Sequence, residues 1–386
     1  MIPLDKTQLN KLFAASTATR KSGSVISRKG ASNNQGSAGN TGSGAVLLLD
    51  PKRANNLAIM LSRLRLPFAE MRGAIIEMDE GSLSAELVSS LIKCVPTAEE
   101  LELVLSTDAP IASLGLAERF VAQVGSIPRL QTRLECLAYK QRYKSSYAML
   151  QENVSSMTAA CNSLCSCDEL RILLHTTLAI GNHLNAGSFR GMADGFRTES
   201  LARIAELRTA TCGSTGPNTL LHVALSVTAA RLGIKGGGDD VAGFEALEVM
   251  TQKLTTVKQA AKLSISELGD EIQVFSKGLQ KVRQELETLS SASKSMGKSP
   301  RDDPEDGFAK VMLPFLANAE VHVVELKHGL EKLRVSIETT RTYYAEDPKV
   351  TTEQFFSRWS SFLGHLESAI SLERGMKQRS PKRKRQ

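Results

Sequence analysis

The residues best equipped for chemistry are three closely spaced thiols, Cys161, Cys165 and Cys167, with His175 downstream. Thiolate and imidazole ligands could hold a metal, but this spacing matches no standard zinc pattern. On a helix Cys161 and Cys165 lie one turn apart, where a thiol packs as a small hydrophobe. The Gly-rich run GIKGGGDD at 233–240 lacks the GK[ST] ending of a phosphate-binding loop, and no strand precedes it, so it reads as a helix-to-helix connection. His183 and His222 sit in helical contexts without partnered Ser or Cys spacing. There is no triad, no paired-carboxylate signature and no dinucleotide fingerprint. No catalytic residue, metal ligand or cofactor is therefore assigned, and the chain is expected not to be an enzyme.

The elements around these residues are helical. Hydrophobic residues make up 41% of the chain and charged residues 23%, which fits a folded protein. Leu, Ala, Ser, Glu and Lys dominate and aromatics are scarce, which favours helix over sheet. Residues 7–20 are expected to form a short helix with Leu9, Leu12 and Phe13 on one face. Residues 21–45, rich in Gly, Ser and Asn, have the composition of a flexible tether. From Leu47 helical patterning continues almost to the end, punctuated at Pro67, Gly81, Pro128, Gly187 and Gly195. Thr97 with Glu100 makes a capping box. Ile265, Leu268, Ile272, Phe275, Leu279, Val282, Leu286 and Leu289 step by three and four, the spacing of a coiled-coil seam. Leu254, Val257 and Ala261 extend that stripe backwards, so one helix of about 40 residues, roughly 60 Å long, is expected. A polar break at 291–307 separates it from amphipathic helices near 308–344 and 351–375. The fold class is thus all-α and elongated, with segments 1–20, 21–45, 46–375 and a basic tail at 376–386.

The formal net charge of +7 owes much to Lys377, Arg379, Lys382, Arg383, Lys384 and Arg385. Such a run can attract nucleic acid, anionic membrane or an import receptor. Stacking aromatics interleaved with the charges are missing, so no nucleic-acid partner is expected. No apolar run is long enough to span a bilayer, and MIPLDKTQLNKLF has no signal-peptide core. Six cysteines in 386 residues read as reduced thiols, which fits a cytoplasmic protein.

Two features point to partner binding. In the helix beginning near Pro51, Leu57, Met60, Leu61 and Leu64 form one stripe, and Ile59 lies about 150° from its centre. Two readings follow: an exposed aliphatic anchor beside Lys52 and Arg53, or burial against a different helix. The second feature is GNHLNAGSFRGMADGF at 181–196. A helix runs into Gly181, Asn182 and Asn185 flank its end, and Gly187 suits a left-handed terminator. Gly181 would let another chain approach closely. The stretch reads either as a docking seat or as an ordinary capped helix end.

GNHLNAGSFRGMADGF resembles the signature of the formin homology-2 domain, GN-x-[LM]-N-x-G with a following GF. LDPKRANNLAIMLSRLRLPFAEM at 49–71, ELVSSLIKCVPTAEEL at 86–101, LGLAERFVAQVGSIPRLQTRL at 114–134, TLLHVAL at 219–225 and YYAEDP at 343–348 are similar to further segments of that family, in family order. The resemblance runs over residues 45–370. It implies a lasso, a linker, a knob, a coiled-coil region and a post, with two copies closed into a ring by each lasso encircling the partner's post. It further implies a cytoskeletal protein that nucleates actin filaments and stays on the barbed end while subunits add. Under it Ile59 falls at the knob isoleucine that enters a hydrophobic cleft of actin, and Lys52 and Arg53 lie beside it. Arg208 stands where the family usually has an actin-contacting Lys, and Arg129 and Arg133 align with basic positions of the same body. Gly181, Asn182, Asn185 and Gly187 fall on the lasso-receiving seat.

This sequence departs from the family in places. QLNKLFAAS at 8–16 resembles only the lasso's later helix, and there is no Trp before Trp359. The 12 prolines are scattered, so profilin is expected as a partner only through a proline-rich segment outside this chain. A second reading is a helical scaffold of the same fold with weakened dimerisation and no processive assembly.

Overall fold

The computed structural model describes residues 46–64, 66–188, 191–208, 219–235, 240–295 and 307–379. The expected helix at 7–20, the tether at 21–45, the centre of the Gly-rich run and the end of the basic tail lie outside the described residues. Val46–Gln386 forms one unit, distinct from Met1–Ala45. Among the described residues every regular element is helical, and extended pairing is confined to the single bridges Val46–Leu114 and Arg208–Thr219.

The chain enters this unit through a clamp. Val46 exchanges backbone hydrogen bonds with Ser113 and Gly115. The buried Glu118 carboxylate accepts from the Leu48 and Leu49 amides at 3.1 and 3.3 Å. Helix α1, Pro51–Leu61, then starts on Asp50, whose side chain accepts from the Lys52 and Arg53 amides, with Pro at the first turn where its missing N–H costs nothing. Four short α-helices follow, α2, Phe68–Glu77; α3, Ala85–Cys94; α4, Ala98–Leu105; and α5, Leu116–Phe120, with a 3-10 turn at Ile111–Ser113 before the last. The Thr97–Glu100 capping box at α4 is present with both of its hydrogen bonds. A π-type turn at Val121–Gly125 leads to Arg129, left-handed at φ 57°, and into the long helix α6, Leu130–Ser166.

The remaining helices are α7, Asp168–Leu184; α8, Ser200–Glu206; α9, Leu220–Lys235; α10, Asp240–Lys253; α11, Thr255–Ala260; α12, Ile265–Ser295; α13, Phe308–Tyr343; and α14, Thr352–Arg379. Two hydrophobic cores result. One gathers α1 to α5 with the start of α6, Val282 and Leu286 of α12, and Phe308 and Met312 of α13. The other gathers the rest of α6, α12 and α13 with α7 to α11 and α14. Helices α6, α12 and α13 therefore run through both, and each pairs with the other two. Their buried residues repeat at heptad spacing: Leu150, Val154, Met157, Cys161 and Leu164 on α6, and Ala319, Val323, Leu326, Leu330, Leu333 and Ile337 on α13. Leu268 to Leu286 of α12 bury as the seam expected from sequence, with Ile265 and Leu289 partly buried.

One expectation is corrected. The stripe Leu254, Val257 and Ala261 does not extend α12. It belongs to α11, which Leu254 and Ala261 cap, and a turn through Lys262 and Leu263 intervenes before Ile265. Leu254, Val257 and Ala260 are buried because α11 packs on α6 and α14, whereas α12 packs on α6 and α13. A single straight helix could not serve both sets of partners.

Candidate functional site

Ile59 is 48% exposed while Leu57 and Leu61, on the same helix, are sealed in the core. The wheel argument thus meets its exposed alternative. Lys52, two turns earlier, and Arg63, one turn later, are also exposed, and neither makes an ion pair among the described residues. Positions 52, 56, 59 and 63 step by four, three and four, so these side chains share one face of α1 and the turn that follows. Arg63 was not singled out from sequence, although its i+4 spacing from Ile59 was the available signal. The turn is held by the Ser62 hydroxyl donating to the Ile59 carbonyl at 2.9 Å and the Arg63 amide donating to Met60.

The other basic candidates are placed differently. Arg53 is half-buried and donates to Glu100 at 2.9 Å and to the Val95 carbonyl at 3.1 Å, tying α1 to the start of α4. Arg129 holds the buried Glu285 of α12 through two hydrogen bonds, which raises the guanidinium's already high pKa. Arg133 is buried, donates to the Pro128 carbonyl at 3.1 Å and lies over the Phe308 ring. In this arrangement both arginines join α6 to its neighbours. Arg208 is exposed and opens a stretch, 209–218, that lies outside the described residues. The structure does not bring Arg208 into the Ile59 face by any described contact.

The signature stretch forms a compact turn at the end of α7. Asn185 caps the helix, and its carbonyl accepts from the Ser188 amide and hydroxyl at 3.0 and 2.8 Å. Gly187 follows at φ +80°, in the left-handed region that favours glycine. The Asn182 amide grips the Ala193 backbone from both sides, donating to its carbonyl and accepting from its N–H, each at 2.9 Å. Gly181 faces open space. Leu184 and Met192 are the exposed apolar residues here, Met192 at 93%.

Beside this turn is a pocket of about 290 Å³, lined by Leu174, Leu178, Phe196, Tyr343 and Trp359 among others. Its base depends on YYAEDP. The Tyr344 hydroxyl donates to the Leu164 carbonyl at 2.7 Å, and its ring lies 4.7 Å from Trp359. Glu346 is bonded by Arg358 at 2.9 Å and by the Thr198 hydroxyl. Trp359 Nε1 is buried with no hydrogen-bond partner among the described residues. Trp359 stood out in the sequence as the sole Trp, but its place beside the signature could not be read from position alone.

The thiols are packing groups in this fold. Cys161 occupies a heptad core position of α6, and burial pushes its thiol up to about 11. Cys165 donates to the Thr340 hydroxyl at 3.5 Å, and the Cys167 thiol is also raised by burial.

Comparison with known proteins agrees with this arrangement. The family profile of the Formin Homology 2 Domain matches residues 2–367. Formin-like protein 13 of Arabidopsis thaliana is 28% identical over 378 residues, covering 96% of this chain and 27% of that protein. Formin-like protein 12 of Oryza sativa subsp. japonica is 29% identical over 368 residues, covering 95% of this chain and 20% of that protein. The chain thus spans about a quarter or less of the length of these relatives. With the helical bundle, the capped turn and the profile match coinciding over the same residues, the chain belongs to the Formin Homology 2 domain family.

Proposed function

We propose that this chain is a non-catalytic actin-assembly domain that nucleates filaments and rides the barbed end as a dimer. The observation that carries the reading is Ile59: a large aliphatic side chain left half exposed on a helix whose Leu57 and Leu61 are buried, with Lys52 and Arg63, which make no ion pair among the described residues, in line with it. A binding hot spot is a side chain that a partner's pocket buries fully, ringed by contacts that keep water out, and an exposed Ile can serve as such an anchor. A basic rim suits an acidic protein partner. Arg208 is proposed as a second contact, set on a different part of the body. Arg53, Arg129 and Arg133 act in this reading by holding α1 and α6 in place, with actin contact secondary.

The turn of Gly181, Asn182, Asn185 and Gly187, with the aromatic pocket next to it, is proposed as the seat for a second copy's lasso segment. What supports this is the open space at Gly181, the exposed Leu184 and Met192, and a pocket large enough for one aromatic side chain. The protein would act in the cytoskeleton. Profilin would join only through a proline-rich segment outside these residues.

The test is a fluorescence assay of actin polymerisation with the purified chain, together with light scattering to measure its mass. A shortened lag and protection of barbed ends from depolymerisation are expected. A folded chain that neither shortens the lag nor protects ends overturns the reading. A monomer that binds filaments without accelerating assembly favours the helical scaffold instead.

A further inference from the structure

The residues that lead into the folded unit are anchored differently from the helix that follows them. Val46–Leu49 is held mainly through its backbone. The Val46 amide donates to the Ser113 carbonyl at 2.8 Å, and the Gly115 amide donates to the Val46 carbonyl at 3.1 Å. The Leu48 and Leu49 amides share one oxygen of Glu118. Side-chain burial adds less: Leu49 is buried, Val46 and Leu48 are half-buried, and Leu47 is 64% exposed. A stretch with few buried apolar groups opens at lower free energy than the core beneath it.

The latch also carries an opposing term. Glu118 is buried, and its second oxygen, Oε2, has no hydrogen-bond partner among the described residues. A buried carboxylate oxygen without a donor or a cation is unfavourable, because water would have solvated it. Lifting Val46–Leu49 uncovers that carboxylate to water. Part of what the four backbone hydrogen bonds contribute is therefore offset, and the closed latch is nearer to balance than its bonds alone suggest.

Helix α1 has its own anchors. Asp50 caps it by accepting from the Lys52 and Arg53 amides, Leu57 and Leu61 seat it in the core, and Arg53 ties it to Glu100 and to the Val95 carbonyl. None of these contacts involves Val46–Leu49, so α1 and its Ile59 face keep their place when those four residues lift.

We propose that Val46–Leu49 is a releasable strap, latched on Glu118, that opens as one unit while α1 stays docked. Closed, the folded unit begins at Val46. Open, it begins at Asp50, and the preceding chain gains four residues, up to about 13 Å of reach. The proposal concerns the fold and holds whether or not the chain binds actin.

The experiment is hydrogen exchange of the full chain, read amide by amide. The Val46, Leu48, Leu49 and Gly115 amides should share one opening constant, at least about a hundredfold larger than that of the Leu57 and Leu61 amides. Gly115→Ala then tests the latch. Gly115 is extended at φ −61° and ψ 166°, which Ala also adopts. Its methyl, however, would strike Glu118 Oε2 and Leu47 Cδ2. Exposed Leu47 can swing into water, whereas the enclosed carboxylate moves only by loosening its hold on the strap. The Val46, Leu48 and Leu49 amides should therefore exchange about tenfold faster, with Leu57 and Leu61 unchanged. Gly73→Ala, whose methyl meets nothing within 4 Å, should leave the strap as in the parent. Strap amides that exchange no faster than Leu57 and Leu61, or with unrelated opening constants, overturn the proposal. So does a Gly115→Ala chain in which the strap is unmoved, or in which α1 loosens with it.

Discussion

Replacing Ile59 by Ala separates the fold from the proposed function. The exposed 48% of Ile59 amounts to roughly 80 Å² of mostly apolar surface. Covering that area in a partner's cleft is worth about 2 kcal/mol at about 25 cal/mol per Å², and Ala recovers only a small part. Each copy should therefore lose about 1.5 kcal/mol, roughly tenfold in affinity. If the proposed dimer engages through Ile59 of both copies, the loss doubles to about 3 kcal/mol, more than a hundredfold. The cost to the fold is far smaller. Leu57 and Leu61 keep their places in the core, and Ala is the better helix former, so unfolding free energy should change by less than about 1 kcal/mol. The measurement is polymerisation of fluorescent actin over a series of domain concentrations, with thermal melts followed by circular dichroism. The expected outcome is loss of acceleration with the melt nearly unmoved. An Ile59→Ala chain that accelerates assembly like the parent refutes the role of that side chain. One that loses assembly only together with its helical signal refutes the separation argued here.

Further expectations concern the body that carries this face. Arg63→Glu should weaken filament-end binding several-fold, with the difference from the parent shrinking as salt rises, because the charge is exposed; a salt-independent effect would argue against an electrostatic role. Glu118→Ala removes the acceptor for the Leu48 and Leu49 amides and should cost about 1–3 kcal/mol, with those two amides gaining the most in hydrogen exchange. Arg129→Ala leaves Glu285 buried without its partner and should cost about 2 kcal/mol in denaturant unfolding, moderated because Arg129 itself is half exposed. Gly278→Ala should cost about 1–3 kcal/mol by displacing the Tyr139 ring from α12, visible as a change in near-ultraviolet dichroism. Burial raises the Cys161 and Cys136 thiols to about 11 and about 12, so iodoacetamide at neutral pH should label them only as fast as the chain opens; rapid labelling of the native chain would contradict their packing.

Much of the local structure was legible in the residues because its causes are local. Thr97 with Glu100 announced a helix start by the hydrogen bonds those side chains can make, and both bonds are present. The three–four stripe from Leu268 to Leu286 announced a helix with one buried face. Gly187 announced a left-handed turn because only glycine adopts φ near +80° without a steric penalty. The stripe at Leu254 misled for an equally physical reason. Periodicity records that a residue is buried but not against which neighbour, and α11 and α12 bury their stripes on different helices.

The sequence by itself determined that this is a helical chain with one heptad stripe from Ile265 to Leu289, a capped turn at 181–187 and an aliphatic residue off its helix's main stripe. The tertiary structure alone decided which side of that residue meets solvent, since exposure depends on helices distant in the chain. It alone separated Lys52 and Arg63, left in water, from Arg129 and Arg133, drawn into joints with Glu285 and Phe308. Charge is a property of the residue; whether that charge is spent on the fold or offered to a partner is set by what long-range packing brings beside it.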